Sequence, residues 1–172
     1  MTTVAWDGEY LAVDRQTTNG ADTKGETTKL VVYEQDGVTC AFAGVGDAPD
    51  LHMVHRWLRD GARESNAPTV EETSGGLLVV RSPDKIEAFD LVVVAKDGRT
   101  LYVDRHRLEK KFTAIGSGHK FALGAMAAGV NAIRAVIIAA GFDTMTGEGV
   151  DAFNTTSGAV GRFRFTTSVE SI

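Results

Sequence analysis

Hydrophobic residues in the first 45 positions fall into short runs that are typical of β-strands. Two such runs, Thr3 to Trp6 and Tyr10 to Val13, are separated by an Asp-Gly pair, which is a strong signal for a hairpin turn. After a polar stretch from Thr17 to Thr28, the segment KLVVYEQDGVTCAFAG contains a second such pair at Asp36 and Gly37. The pattern predicts four antiparallel strands before the first helix.

The apolar residues then change to a helical spacing. The segment DLHMVHRWLRD, residues 50–60, predicts a helix with one apolar face, formed by Leu51, Val54, Trp57 and Leu58. Asp50 is predicted to cap the start of this helix, and Gly61 is predicted to end it. His52 and His55 lie three positions apart on the helix, but no further metal-ligand pattern accompanies them. We therefore interpret both as part of a solvated helix face.

The second half of the chain predicts strands, then helices, then strands again. Residues 75–104 are rich in β-branched and apolar residues, with turn signals at Pro83-Asp84 and at Asp97-Gly98. A helix-rich block from His119 to Ala140 is predicted to break near Gly129, with Asn131 capping the second helix. Two final strands are predicted around Ser157-Gly158. Because every short link is a hairpin, the order favours an α+β fold with two antiparallel sheets flanked by helices.

Composition indicates one globular domain over residues 1–172, since 172 residues with 43% hydrophobic side chains suffice for one substantial core. The formal net charge of -5 offers no general attraction for nucleic acid or an anionic membrane. The single cysteine, Cys40, lies in an apolar run and favours a reducing compartment. Neither a signal peptide nor an apolar run near the roughly 18 residues of a membrane span is present. We expect a cytoplasmic protein.

Thr2 is the first candidate for chemistry. Removal of Met1 would give Thr2 a free α-amine and a hydroxyl on one residue, so that the amine serves as the base that activates its own side-chain oxygen. Retention of Met1 would instead convert that amine into an amide nitrogen that is not basic. Taken alone, the two threonines at positions 2 and 3 predict no more than the start of a strand.

A terminal nucleophile needs a nearby cation, a carboxylate that holds the cation, and N–H groups that receive an oxyanion. Asp14 ends the strand that returns from the N-terminus, and Lys29 begins the next strand, so both reach Thr2 if these strands are neighbours. The GSG segment at residues 116–118 lies between a strand and a helix, where N–H groups and the Ser117 hydroxyl are exposed. Each residue taken singly is typical of a strand end or a turn.

Five segments are similar to motifs of one known family and occur in the same order as in that family. They are TTVAWDGEYLAVDRQTTNG, KGETTKL, FAGVGDA, AIGSGHKFALGA and DTMTGEGVD. Together they resemble the proteasome β-subunit and HslV peptidase family of N-terminal-nucleophile hydrolases. The resemblance implies a four-layer αββα sandwich. It also implies that Thr2 is the catalytic threonine, that Asp14 is the acidic residue behind it, and that Lys29 lowers the pKa of the nucleophile.

The same resemblance implies four further roles. Gly44 would supply the oxyanion-hole N–H, and Ser117 would form a hydrogen bond near the terminal amine. Asp143 and Thr146 are similar to the aspartate and hydroxyl residue that complete this network in proteasomal β-subunits, whereas the HslV branch carries this block in another form. The short segment 61–75, which contains Pro68, departs from the family because it leaves little room for a second long helix.

These expectations combine into a threonine endopeptidase that hydrolyses peptide bonds without a metal or organic cofactor. The resemblance implies a homo-oligomeric ring that encloses the active sites, and an ATP-driven unfoldase as a possible partner. Two alternatives stay open. One is an amidase of the same fold that acts on a small amide, and the other is an inactive assembly subunit that retains Met1.

Overall fold

The computed structural model describes residues 2–19, 23–68, 74–96 and 100–165. Within these ranges the chain forms six strands, one helix, three strands, one short strand, two helices and two strands, in that order. The strands are β1 Thr3–Trp6, β2 Tyr10–Asp14, β3 Gln16–Asn19, β4 Thr23–Glu26, β5 Leu30–Gln35, β6 Val38–Val45, β7 Ser74–Arg81, β8 Ile86–Lys96, β9 Thr100–Arg107, β10 Thr113–Gly116, β11 Val150–Asn154 and β12 Val160–Phe163. The helices are α1 Ala48–Arg59, α2 His119–Ala127 and α3 Ala132–Ala140, and a 3-10 turn covers Glu64–Asn66.

The first sheet places the start of the chain in its interior. Its strand order is β10-β1-β2-β11-β12, and all neighbouring strands are antiparallel. In β1, Val4 pairs with Val13 of β2, and Thr3 pairs with Gly116 of β10. The residue before β1, Thr2, therefore lies beside the loop that follows β10.

The second sheet has the order β5-β6-β7-β8-β9 and is also antiparallel, while β3 and β4 form a separate hairpin. This hairpin corrects the expectation of four strands before the first helix, because six are present. The stretch Thr17 to Thr28 had been interpreted as a polar link. Its threonines favour extended backbone, but its strands pair only with each other, so no apolar alternation reveals them in the sequence.

The core lies on both faces of the first sheet. One cluster fills the space between the two sheets with Val4, Trp6, Leu11, Val13, Leu77, Val79 and Phe153 among its members. Alternate residues of the same strands, Ala5 and Ala12, face the other way and pack with α2 and α3. Burial on both faces explains why β1 and β2 have continuous apolar runs rather than alternating ones. Helix α1 packs against the outer side of the second sheet through Val54, Trp57 and Leu58.

Helix α1 begins earlier than predicted. It starts at Ala48 after Asp47, so the predicted cap Asp50 is wrong; Asp50 is instead a buried residue of the first turn. Pro49 explains the earlier start, because proline is favoured in the first turn of a helix, where its missing N–H costs nothing. The predicted end is confirmed, since the helix ends at Arg59 and Gly61 has a φ of 92°.

The predicted break between the two later helices is confirmed. Asn131 caps α3, and its side-chain oxygen accepts a hydrogen bond from the Arg134 N–H at 3.0 Å. The turn at Pro83-Asp84 is also confirmed between β7 and β8. The turn predicted at Asp97-Gly98 lies outside the described residues. In the part of the chain that the structure describes, none of the helices has both the length and the apolar character needed to cross a membrane.

Candidate active site

Asp14 and Lys29 form a buried ion pair at the end of β2. The Lys29 ammonium donates to both carboxylate oxygens of Asp14 at 3.1 Å, and the two side chains are 5% and 0% exposed. Asp14 also accepts hydrogen bonds from three backbone N–H groups, those of Thr3 at 2.8 Å, Gln16 at 3.1 Å and Gly147 at 3.3 Å. The structure therefore brings these two predicted residues together and attaches them to the strand that begins at Thr3.

Burial brings the pKa values of Asp14 and Lys29 closer together. Loss of solvent raises the pKa of Asp14, which the charge and hydrogen bonds of Lys29 oppose. Loss of solvent lowers the pKa of Lys29, and here the carboxylate opposes the shift. A lysine whose ammonium is made less stable in this way is better able to exchange a proton with a neighbouring group.

Thr2 lies between this ion pair and the loop after β10. It is 3% exposed, and its carbonyl oxygen accepts a hydrogen bond from the Ser117 N–H at 2.9 Å. Gly116 has a φ of 93°, and a Cβ atom added there would overlap the Thr2 carbonyl oxygen. Only glycine thus allows the two backbones to approach so closely. Met1 lies outside the described residues, so its removal stays a prediction.

Thr2 and Lys29 both line a cavity of about 120 Å³. Strand β3, the link after β4 and the first half of α1 form its other walls, with Gln16, Thr28, Ala48 and Leu51 among the lining residues. The cavity is therefore bounded by the candidate nucleophile on one side and by hydroxyl, amide and aliphatic groups on the others. A small amide or a single side chain of a larger substrate fits its volume.

A second network links Thr3 to the three predicted residues of the C-terminal half. The Gly118 N–H donates to Thr3 Oγ1 at 3.0 Å, and Thr3 Oγ1 lies 2.6 Å from Thr146 Oγ1. Thr146 and Ser117 in turn each donate a hydroxyl hydrogen bond to Asp143 Oδ2 at 2.6 Å. Ser117, Asp143 and Thr146 are therefore brought together beside Thr2, and their roles in catalysis stay predictions.

The hydroxyl groups hold Asp143 in its charged form. Partial burial by itself raises the pKa of this carboxyl, but the hydrogen bonds from Ser117, Thr146 and the Met145 N–H outweigh that effect. The pKa of Asp143 consequently lies below its ordinary value. Since an ionised carboxylate only accepts hydrogen bonds, the protons of both hydroxyls are directed to it.

Gly44 is not brought into the cavity. It lies in β6, where its N–H donates to the Lys29 carbonyl at 3.3 Å, and the glycine that lines the cavity is Gly46. A Cβ atom at Gly44 would lie 2.5 Å from Leu51 Cδ2, which explains the glycine by packing against α1. The role of oxyanion donor therefore stays a prediction for Gly44.

His55 corrects the interpretation of a solvated helix face. His52 is exposed, but His55 is only 9% exposed, lies on the wall of the cavity and makes an edge contact with Phe42 at 5.5 Å between ring centroids. Its Nε2 atom is buried and has no hydrogen-bond partner among the residues that the structure describes. Burial, with smaller contributions from the charges of His52 and Arg59, lowers the pKa of His55 from 6.5 to about 4.

This shift predicts a specific loss of stability in acid. The unfolded chain binds a proton at His55 near pH 6.5, whereas the folded chain resists it down to about pH 4. Stability is therefore complete above pH 6.5 and falls as the pH decreases to 4, by about 3 kcal/mol from this residue. Urea unfolding at pH 7 and pH 4 measures it. The loss should shrink strongly in His55→Gln and only slightly in the exposed control His52→Gln, which removes the smaller contribution of the His52 charge; equal losses in both variants would refute the assignment.

The sequence analysis did not predict that Thr3 and Gln16 belong to the site. Thr3 was interpreted as a plain strand residue, yet its hydroxyl joins the Asp143 network. Gln16 is 2% exposed, and its amide donates to the Thr144 carbonyl at 2.8 Å, fixing the loop that carries Asp143. Alternation along β1 was the available signal for Thr3, because neighbours in a strand face opposite sides. No signal marked Gln16. Among the described residues, no cluster of three or more His, Cys, Asp or Glu side chains has the spacing of a metal site.

Comparison with known proteins identifies the fold through solved structures only. No family model and none of the curated proteins matches the chain. The chain is similar to an Anbu (Gly-1) mutant from Hyphomicrobium sp. strain MC1, with a TM-score of 0.68 and 12% identity over 98% of this chain and 89% of that one. It is also similar to Anbu (ancestral beta-subunit) from Yersinia bercovieri, with a TM-score of 0.67, 12% identity and the same coverage. A third relative, from the helical assembly of the Anbu complex of Pseudomonas aeruginosa, has a TM-score of 0.63 and 10% identity over 99% and 88% of the two chains.

These relatives correct the expected assignment to the proteasome β-subunit and HslV peptidases. The structures that match are Anbu chains, one of which is described as an ancestral beta-subunit. At identities of 10 to 12%, the similarity shows a common fold but does not show a common activity. The chain therefore has the fold of the Anbu chains, a mixed α/β fold of antiparallel sheets and helices.

Proposed function

We propose that the protein is an N-terminal threonine hydrolase that cleaves amide bonds in peptides. The observation that carries the proposal is the buried Asp14–Lys29 pair, in which Asp14 accepts a hydrogen bond from the Thr3 N–H and Lys29 lines the same cavity as Thr2. Burying two charges is costly and often contributes nothing to stability. Because this pair lies beside a cavity and a candidate nucleophile, a role in catalysis explains it better than a role in stability.

The proposed reaction begins after Met1 is removed. The free amine of Thr2 takes the proton from Thr2 Oγ1 as that oxygen attacks the substrate carbonyl carbon. The tetrahedral intermediate places its negative charge beside the backbone that follows β6, where Gly46 lines the cavity. Collapse breaks the C–N bond, the leaving amine takes the proton, and an ester on Thr2 remains. The α-amine of Thr2 then takes a proton from a water molecule, which attacks the ester. Cleavage of the ester C–O bond releases the acid, and the proton returns from the α-amine to Thr2 Oγ1.

Lys29 would keep the terminal amine in its free-base form. A positive charge close to an amine disfavours the ammonium form and lowers its pKa. Asp14 holds this charge in place with two hydrogen bonds of 3.1 Å. Because Ser117 donates its only hydroxyl proton to Asp143, the Ser117 oxygen is left as an acceptor that can orient the N–H of the terminal amine.

We also propose the finer arrangement and the assembly. Packing of α2 and α3 on one sheet and α1 on the other supports a four-layer αββα arrangement in a single domain. The helical assembly of the Pseudomonas aeruginosa Anbu complex supports a homo-oligomer. Mass photometry of the native protein tests it, and a clean monomer at micromolar concentration would contradict it. An ATP-driven unfoldase and a cytoplasmic location stay predictions from the sequence.

The cavity supports a second candidate, an amidase for small amides. Its volume of about 120 Å³ holds a small molecule as well as one side chain of a peptide. The two candidates share the same nucleophile and differ in the length of the substrate. Comparison of kcat/KM for acetyl amides and for tetrapeptide amides that carry one fluorogenic leaving group separates them.

The proposed function is tested by intact mass together with this panel of amides. We expect a chain without Met1 and turnover that is faster on the tetrapeptides by about tenfold or more, since extended contacts add binding energy in the transition state. Faster turnover of the acetyl amides would favour the amidase. A mature chain that retains Met1 and cleaves no amide would refute both and favour the inactive assembly subunit.

A further inference from the structure

Thr3 lies in a chain of hydrogen bonds, and the groups at the two ends of this chain determine which atom donates in each bond. At one end the Gly118 N–H can only donate, so Thr3 Oγ1 accepts there. At the other end the Asp143 carboxylate can only accept, so the Thr146 hydroxyl proton points to it. Thr146 Oγ1 then has no proton left for Thr3, and the Thr3 hydroxyl donates across the 2.6 Å contact. The chain runs from Gly118 through Thr3 and Thr146 to Asp143.

Thr3 lies on the opposite side of β1 from the cavity. Thr2 lines the cavity, whereas Thr3 is fully buried and is not among the lining residues that the structure describes. A Cβ atom added at Gly118 would overlap Thr3 Oγ1, so the loop after β10 is shaped around this hydroxyl. Thr3 thus contacts the Gly118 N–H, next to Ser117, and the Thr146 hydroxyl, which binds Asp143, without lining the cavity.

We propose that Thr3 is a positioning residue, whose hydroxyl sets the orientation of Ser117 and Asp143 around the terminal amine of Thr2. This inference rests on the proposed function. By donating to Thr146, Thr3 fixes the Thr146 proton on Asp143, and Asp143 in turn draws the Ser117 proton away from the amine. The Ser117 oxygen, which lies 3.5 Å from the Thr2 carbonyl oxygen, is then left as an acceptor for the amine. Without the Thr3 hydroxyl, Thr146 Oγ1 loses its donor and the Gly118 N–H is buried without its acceptor, so the loop that carries Ser117 is no longer held to β1 by this bond.

The test compares Thr3→Val, which keeps the shape and removes the hydroxyl, with Thr3→Ser, which restores it. Kinetics are measured on the amide substrate with the highest wild-type turnover, well below the melting temperature. We expect Thr3→Val to lower kcat by about 10- to 100-fold with KM within about twofold. Thr3→Ser should recover most of kcat. The matched control is Thr155→Val, because Thr155 is as deeply buried and its hydroxyl donates to the Glu9 carbonyl at 3.0 Å in another part of the fold.

Thr155→Val should lose stability and keep kcat, which separates positioning from a general cost of deleting a buried hydroxyl. Amide hydrogen exchange of Gly118 provides a second readout that needs no turnover: it should be slow in the wild type and in Thr3→Ser, and faster in Thr3→Val. A Thr3→Val variant with unchanged kcat in an active wild type would overturn the inference and leave the proposed function intact. A wild type without Met1 that turns over no amide would overturn the function and the positioning role together, even if Gly118 is protected.

Discussion

Replacement of Thr2 with alanine is expected to reduce amide hydrolysis by at least about 10³-fold and to leave the fold intact. The substitution removes the oxygen that forms the ester but keeps the α-amine and the hydrogen bond between the Thr2 carbonyl and the Ser117 N–H. Initial rates on the tetrapeptide amides measure the effect, and circular dichroism checks the fold.

Thr2→Ser is the matched control, since it retains a hydroxyl on the same backbone. It should keep measurable turnover, reduced because serine lacks the methyl group that restricts the side-chain rotamer. Activity of Thr2→Ala above one-tenth of the wild type would exclude Thr2 as the nucleophile.

The second large effect is expected on stability. Lys29→Met removes the cation and leaves the Asp14 carboxylate buried, which is expected to cost about 3 kcal/mol in the free energy of unfolding. The three backbone N–H donors to Asp14 keep the loss from being larger. Activity should disappear as well, because no charge then lowers the pKa of the terminal amine. Urea unfolding at pH 7 gives the stability.

Lys85→Met provides the control on an exposed pair. Lys85 lies 2.8 Å from Glu87, but its side chain is 63% exposed, so its removal should cost less than about 1 kcal/mol. The double variant Asp14→Asn with Lys29→Met should recover part of the stability but no activity, since neither position of the former pair then carries a charge. If Lys29→Met lowered the free energy of unfolding no more than Lys85→Met does, the Asp14 carboxylate would not depend on Lys29 in the folded protein.

The sequence predicted those parts of the site that follow from local strand order. Hairpin signals predicted that β2 returns beside β1, which places Asp14 next to the start of the first strand, whereas Lys29 reaches Asp14 from the residue before β5 in the second sheet. The break before Asn131 and the helix end before Gly61 were predicted by side chains whose preference is itself local.

Other features depend on contacts between distant segments. The hairpin β3–β4 has polar residues on both faces, so no alternation marks it. His55 lies four positions after Leu51 and three before Leu58, on the apolar face of α1, and only its ionisable side chain suggested a surface residue. Thr3 joins Thr146 across 143 positions of the chain, a contact that no spacing in the sequence indicates.

The most direct test of the central claim is to locate the ester on Thr2. Incubation with a peptide β-lactone, which acylates a nucleophilic hydroxyl, is followed by trypsin digestion and mass spectrometry. The first tryptic peptide of a chain without Met1 runs from Thr2 to Arg15. We predict that this peptide carries the acyl group, and that its fragments place the group on Thr2 and not on Thr3. An acyl group on any other peptide, or an unmodified first peptide that still begins with Met1, would contradict the account.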